Sequence, residues 1–201
     1  MFKKCGAVMK SICDAEMIFV IEHLEPKLSK WCLLEYRHMS EEVGKENLWF
    51  TNIKKPSAEL KKLGKVFSKP AHELLMERPC VLDPEGEKEL SPADSKRFSH
   101  LIFGGILGDY PPKKRTREVF PGVAVERRNL GPVQMSTDTA VVVSKIICDG
   151  TPLGKITFQD TINLEMGEGE SVELPYRYIL KDGKPALPDG LVEYLKKKRT
   201  F

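Results

Sequence analysis

Gly104, Gly105 and Gly108, followed by Asp109, form the group of residues in this sequence best suited to chemistry. Three glycines within five positions let a backbone turn tightly and approach a ligand with no side chain in the way. Asp109 closes that loop and carries its first charge. Upstream, Leu101, Ile102 and Phe103 are a short apolar run of the kind that becomes a buried strand. Downstream, Pro111 and Pro112 lead into a basic run of Lys113, Lys114, Arg115 and Arg117. A strand that delivers a glycine loop and one acid outlines a ligand site. A glycine turn joining two core elements would read the same way, and both readings stay open on this stretch alone. Two nucleotide loops are excluded by spacing: there is no GxGxxG, and no Gly-Lys-Ser/Thr closes the turn.

Behind these residues must stand elements that aim them. An apolar run over 17–21 predicts a strand that ends in Glu22 and His23. Ser29 can cap a helix starting near Lys30, in which Leu28, Cys32, Tyr36, Met39 and Val43 recur at helical spacing until Gly44 stops it. Residues 47–53 predict the next strand, 54–78 a polar and partly helical connection, and 80–82 a short buried strand ending at Asp83 and Pro84. Ser91, Pro92 and Asp94 mark a helix start. Another apolar segment lies over 119–125, followed by a second unusual loop over 127–139. Ser136 or Thr137 caps a buried helix over 140–148, with Asp138 assigned to its positive end. The tail predicts strands near 156–164 and 174–180, an acidic glycine loop between them, and a short helix over 188–198. Strands alternating with helices predict an α/β fold with a mainly parallel sheet flanked by helices. In such sheets ligands sit beyond the carboxyl ends of the strands. The loops at 83, 104–109 and 127–135 should therefore converge on one pocket.

Composition bounds the rest. At 201 residues the chain can bury one sizeable core. Hydrophobic residues at 41% and charged residues at 30% are a globular balance. A net charge of +3 is too small to imply nucleic acid by itself. The five cysteines are odd in number and include no CxxC pair, which argues against a disulfide framework and a zinc site and for a reduced cytosolic or nuclear setting. No metal is expected. No apolar run reaches the roughly 18 residues of a membrane span, and Asp14 and Glu16 interrupt any signal peptide after Lys3 and Lys4. Residues 1–16 are expected to be a flexible extension and 17–201 a single domain.

The segments FGGILGDYPPKKRT and QMSTDTA, with IEHLEPKLSKWCLLEY, VLDPEGEKELSPAD and LPYRYILKDGKPALPDG, resemble the SPOUT-class methyltransferases. Within that class they resemble the fungal-type protein-arginine branch that modifies small-subunit ribosomal protein uS3. The likeness runs from about Met17 to Tyr194. It implies a carboxyl-terminal trefoil knot, a fold that composition and periodicity would not reveal. It also implies S-adenosylmethionine held bent between three loops and released as S-adenosylhomocysteine. Carried onto this sequence, the cofactor residues are Leu82, Asp83, Pro84, Phe103, Gly104, Gly105, Leu107, Gly108, Leu130, Gln134, Met135 and Thr137. The branch is described as monomeric and as carrying an acidic tail, whereas this chain ends in KKKRTF.

An arginine acceptor carries a charge with a free pKa above about 12. A carboxylate beside it can hold the guanidinium in a fork and take its proton as transfer proceeds. Asp109, Glu22 and Glu35 are the candidates under this resemblance, with His23 as an alternative proton acceptor. Trp31 and Tyr36 could stack on an arginine or serve the core. Arg177 could pair with a pocket acid or brace the tail. Two other functions share the fold: an RNA methyltransferase using the basic run at 113–117 to hold phosphates, and a cofactor-binding ribosome-assembly module without turnover.

Overall fold

The computed structural model describes residues 16–105, 125–167 and 169–199. Strands β1 (Ile18–His23), β2 (Leu48–Thr51), β3 (Lys65–Val66), β4 (Pro79–Leu82), β5 (His100–Gly105) and β6 (Glu126–Arg128) make one sheet in the order β3-β2-β1-β5-β4-β6. All its pairings are parallel, with Ile21 beside both Phe50 and Phe103. Because strand side chains alternate, Phe19, Ile21, Leu48, Phe50, Cys80, Leu82, Leu101 and Phe103 share one face. Val20, Val81 and Ile102 share the other, covered by Ala71.

The helices are α1 (Lys30–Val43), α2 (Leu60–Leu63), α3 (Asp94–Arg97), α4 (Thr137–Cys148) and α5 (Leu191–Arg199). Helix α1 starts where Ser29 accepts a hydrogen bond from the Cys32 amide at 3.1 Å, and ends at Gly44, whose φ of +82° suits glycine. Its Cys32, Tyr36, Met39 and Val43 pack on the first sheet face beside Val141, Val142, Val143 and Ile147 of α4. Each such buried side chain contributes about 1.5–3 kcal/mol.

Strands β7 (Phe158–Gly167), β8 (Glu170–Lys181) and β9 (Lys184–Pro185) form a separate antiparallel sheet. Ile162, Leu174, Tyr176 and Tyr178 from this sheet pack with Leu191 and Leu195 of α5 and with Leu34 of α1. Helix α1 thus has two buried sides, one on the parallel sheet and one on the hairpin.

The structure differs from the sequence reading in two places. The acidic glycine stretch is strand almost to its tip, because Leu164 pairs with Val172 and the alternation continues past the point where charge suggested a loop. The connection over 54–78 contains β3, too short to leave a period. Of the apolar segment 119–125 only Val125 is described, and residues 1–15 and 106–124, with Leu107, Gly108, Asp109 and the basic run, lie outside the described residues.

Candidate functional site

Strand order reverses between β1 and β5, so their carboxyl ends bound the crevice where open parallel sheets bind ligands. Three loops are laced together there. The Asp83 amide donates to the Arg128 carbonyl at 2.8 Å, and Leu90 donates to Asn129 at 2.9 Å, joining the segment after β4 to the segment after β6. The Thr137 hydroxyl donates to the Gly104 carbonyl at 3.3 Å, joining the start of α4 to β5. The Arg177 amide donates to the Gln134 carbonyl at 2.9 Å, tying the same loop to β8. Leu130 and Met135 are half-buried against the core cluster that includes Leu82. Apolar faces surrounded by backbone suit an adenosyl group, so the residues present fit S-adenosylmethionine.

Directly behind the 134–138 segment lies a cavity of about 120 Å³. That is room for several water-sized groups, the end of a side chain. Glu35, Asp138, Trp31, Tyr176, Tyr178, Ser136, Pro188 and Leu191 line it. Trp31 and Glu35 are one helical turn apart on α1, and the indole Nε1 donates to Glu35 Oε1 at 2.8 Å. Tyr176 and Tyr178 are two apart on β8 and so share a face. Asp138, on the first turn of α4, is 1% exposed and meets His38 Nδ1 at 2.9 Å.

Burial holds the Glu35 carboxyl well above the usual carboxylate range, and the charge of Asp138 pushes it the same way. Burial alone would lower His38, but the hydrogen bond and charge of Asp138, with Glu42, leave it above its ordinary value. Burial also raises the Tyr178 phenol. Two acids and three aromatic rings in one small cavity suit a planar cation: the carboxylates meet its N–H fork and the rings its faces.

Of the acids proposed from the sequence, Glu35 alone among the described residues lines this cavity. Glu22 does not join it. Alternation along β1 sends Glu22 to the Val20 side of the sheet, where it accepts from the Thr51 hydroxyl and from the Ala71 amide at 2.8 Å. It is buried there, and burial raises its carboxyl. His23 lies on the opposite side and bonds the Tyr36 hydroxyl at 2.8 Å. Gly105 is needed for close packing: a Cβ there would stand 2.8 Å from Ile21 Cγ2 and 2.9 Å from the Glu22 carbonyl.

Phe103 is core, Gly104 receives Thr137, and Pro84 is exposed. Asp83 is held by Arg127 and by the Glu85 amide. Arg177 pairs with Asp160 on the neighbouring strand, at 2.6 and 2.9 Å, and braces the hairpin. Asp138, assigned from the sequence to the positive end of a helix, does stand in the first turn of α4, and it also lines the cavity. The tyrosines were missed. The spacing of Trp31 with Glu35 and of Tyr176 with Tyr178 carried the only sequence signal for that wall.

Among the described residues no helix is long and apolar enough to cross a membrane, and no group of three or more His, Cys, Asp or Glu side chains could hold a metal.

The chain is 37% identical over 203 residues to protein arginine N-methyltransferase SFM1 of Saccharomyces cerevisiae, covering 90% of this chain and 95% of that protein. Its structure matches the crystal structure of yeast SFM1 complexed with S-adenosylmethionine at a TM-score of 0.83, with 35% identity and 92% of each chain covered. For fold alone, it also matches Trm10 from Thermococcus kodakaraensis at a TM-score of 0.51, with 20% identity over 68% of this chain and 95% of that one. The expected SPOUT architecture, a mainly parallel sheet flanked by helices, is therefore present. With the family described as protein arginine N-methyltransferase SFM1-like matching residues 18–200, this chain belongs to that family.

Proposed function

We propose that this protein is an S-adenosylmethionine-dependent protein-arginine N-methyltransferase that receives its acceptor guanidinium in the cavity lined by Glu35, Asp138 and Trp31. The observation that carries the reading is that two buried carboxyl groups and three aromatic rings surround a space the size of a side-chain end. A phosphate-bearing acceptor would meet like charge there.

The bound cofactor supplies an electrophilic methyl group. Leu82, Leu130, Met135 and the backbone around Gly104 and Gln134 would hold it. Asp109, outside the described residues, is proposed as a further acid on the strength of the sequence resemblance, as are Leu107 and Gly108 for the cofactor. The protein's own chemistry is then positioning and proton handling. Glu35 starts with its proton held by burial. An arriving guanidinium favours the ionised carboxylate, which releases that proton. Glu35 and Asp138 fix the fork of N–H groups, and Trp31 and Tyr178 keep it flat and exclude water. As the acceptor nitrogen gains its methyl group it sheds one proton, and Glu35 is placed to take it.

The family membership and the resemblance further support a monomeric, cytoplasmic enzyme that adds one methyl group to an arginine of small-subunit ribosomal protein uS3, on a fold closed by a trefoil knot. Incubating the protein with labelled cofactor and whole ribosomes, then digesting protein and RNA separately, tests the substrate class. Label on an arginine of one small-subunit protein is the expected result. Label that disappears with ribonuclease would instead assign an RNA substrate.

A further inference from the structure

His38 is a partly buried histidine that the reaction as described leaves unused. It sits on α1 one turn beyond Glu35, with its side chain 11% exposed. Its Nδ1 lies 2.9 Å from Asp138 Oδ2, and its Nε2 lies 3.8 Å from Glu42 Oε1. Glu42 in turn pairs with Lys181 of β8 at 2.5 Å, at the solvent edge. The charged groups facing His38 are therefore Asp138 from α4, Glu42 from α1 itself and Lys181 from β8. Through Asp138 this chain reaches the cavity wall, where Glu35 stands opposite.

We propose that His38 is a positioning residue that holds Asp138 in the wall of the acceptor cavity, opposite Glu35, the carboxyl group that cycles its proton. Two carboxyl groups in one buried cavity oppose each other's ionisation, and different surroundings assign them different roles. Asp138 has a histidine partner aimed at it; among the described residues, the hydrogen-bond partner of Glu35 is the neutral Trp31 indole. The imidazole, 2.9 Å from Asp138 Oδ2, also restricts how that carboxyl group can turn. This inference rests on the cavity being the acceptor site.

The test uses the full chain with His38→Ala, His38→Asn, Asp138→Asn and Glu35→Gln. Removing the partner that orients a reactive group should lower kcat roughly ten- to a hundredfold. His38→Ala should do so with cofactor affinity unchanged, and should move the acid limb of the kcat profile to higher pH, because a positive charge beside the cavity that holds Glu35 is lost. His38→Asn, which keeps a donor but no charge, should restore part of kcat while keeping the shifted limb. A second readout needs neither cofactor nor acceptor: the His38 ring, followed by NMR, should titrate above the ordinary histidine range in the parent and fall in Asp138→Asn.

If His38→Ala fails to fold, His38→Asn and the ring titration decide. Parental pH profiles in the His38 variants, or a ring titration indifferent to Asp138→Asn, would overturn the inference. If Glu35→Gln leaves acceptor kinetics untouched, the cavity reading itself has failed. If Glu35→Gln disables transfer while the His38 variants keep the parental profile, only the role of His38 has failed.

Discussion

Glu35 is the residue on which chemistry and stability pull in opposite directions. Its carboxyl is buried and held above the ordinary range, first by burial and then by Asp138. A folded-state value above the unfolded one means that the native protein binds the proton more tightly. Stability from this group is complete below the ordinary carboxylate range and is lost as pH rises through the raised folded value. Glu35→Gln removes that loss. The parent should therefore lose stability over this window with a slope of up to about 1.4 kcal/mol per pH unit, and the variant should not. Denaturant titrations at several pH values measure it; parallel curves for the two proteins would contradict the assignment. Transfer runs the other way. Glu35→Gln should lower kcat by about a hundredfold or more, and the parental rate should climb as pH rises through the titration of Glu35 in the acceptor complex.

At the scale of elements, β1 and β5 approach so closely that Gly105 is fixed by packing. A valine there would meet Ile21, the Glu22 carbonyl and, at 3.1 Å, the Tyr36 hydroxyl. Gly105→Val should cost about 1–3 kcal/mol, seen as a lower melting temperature before any ligand is added; a parental melting temperature would show that the strands can part freely. Strand β6 is anchored differently. Arg128 forms a buried pair with Asp94 of α3, Nη2 to Oδ1 at 3.0 Å, with its guanidinium 4.9 Å from the Phe98 ring centre. Burial would raise Asp94, but the hydrogen bonds from Arg128 and Ser91 pull it below its ordinary value. That contribution is present above the ordinary aspartate range and is lost as pH falls through the lowered value. Arg128→Ala should cost about 3–5 kcal/mol by leaving a buried acid unpaired, and equilibrium unfolding at pH 7 reads this directly. Local pattern predicted α1 well, because its cap, apolar spacing and terminal glycine all agree. It missed β3 and shortened the β7–β8 hairpin, because two residues carry no period and a charged tip imitates a loop.

Across the whole molecule, the cavity lies on the seam between α1, α4 and the hairpin. His38 and Asp138 meet from 100 positions apart. No local pattern encodes such a meeting, so the sequence marked the glycine strand end and the 130–137 loop, placed Asp138 only at a helix start, and left Tyr176 and Tyr178 unassigned. Glu22 shows the converse. Its place at a strand end on the ligand edge was legible, yet the alternation of β1 turns its side chain toward Thr51 and Ala71, which a strand-end position alone does not reveal. A crystal structure of the protein with S-adenosylhomocysteine and an arginine-containing acceptor peptide addresses the central claim most directly. The expected result is a guanidinium flanked by Trp31 and Tyr178, within hydrogen-bonding reach of both Glu35 and Asp138. An arginine bound on the Glu22 side of the sheet, with the Glu35 cavity empty, would contradict it.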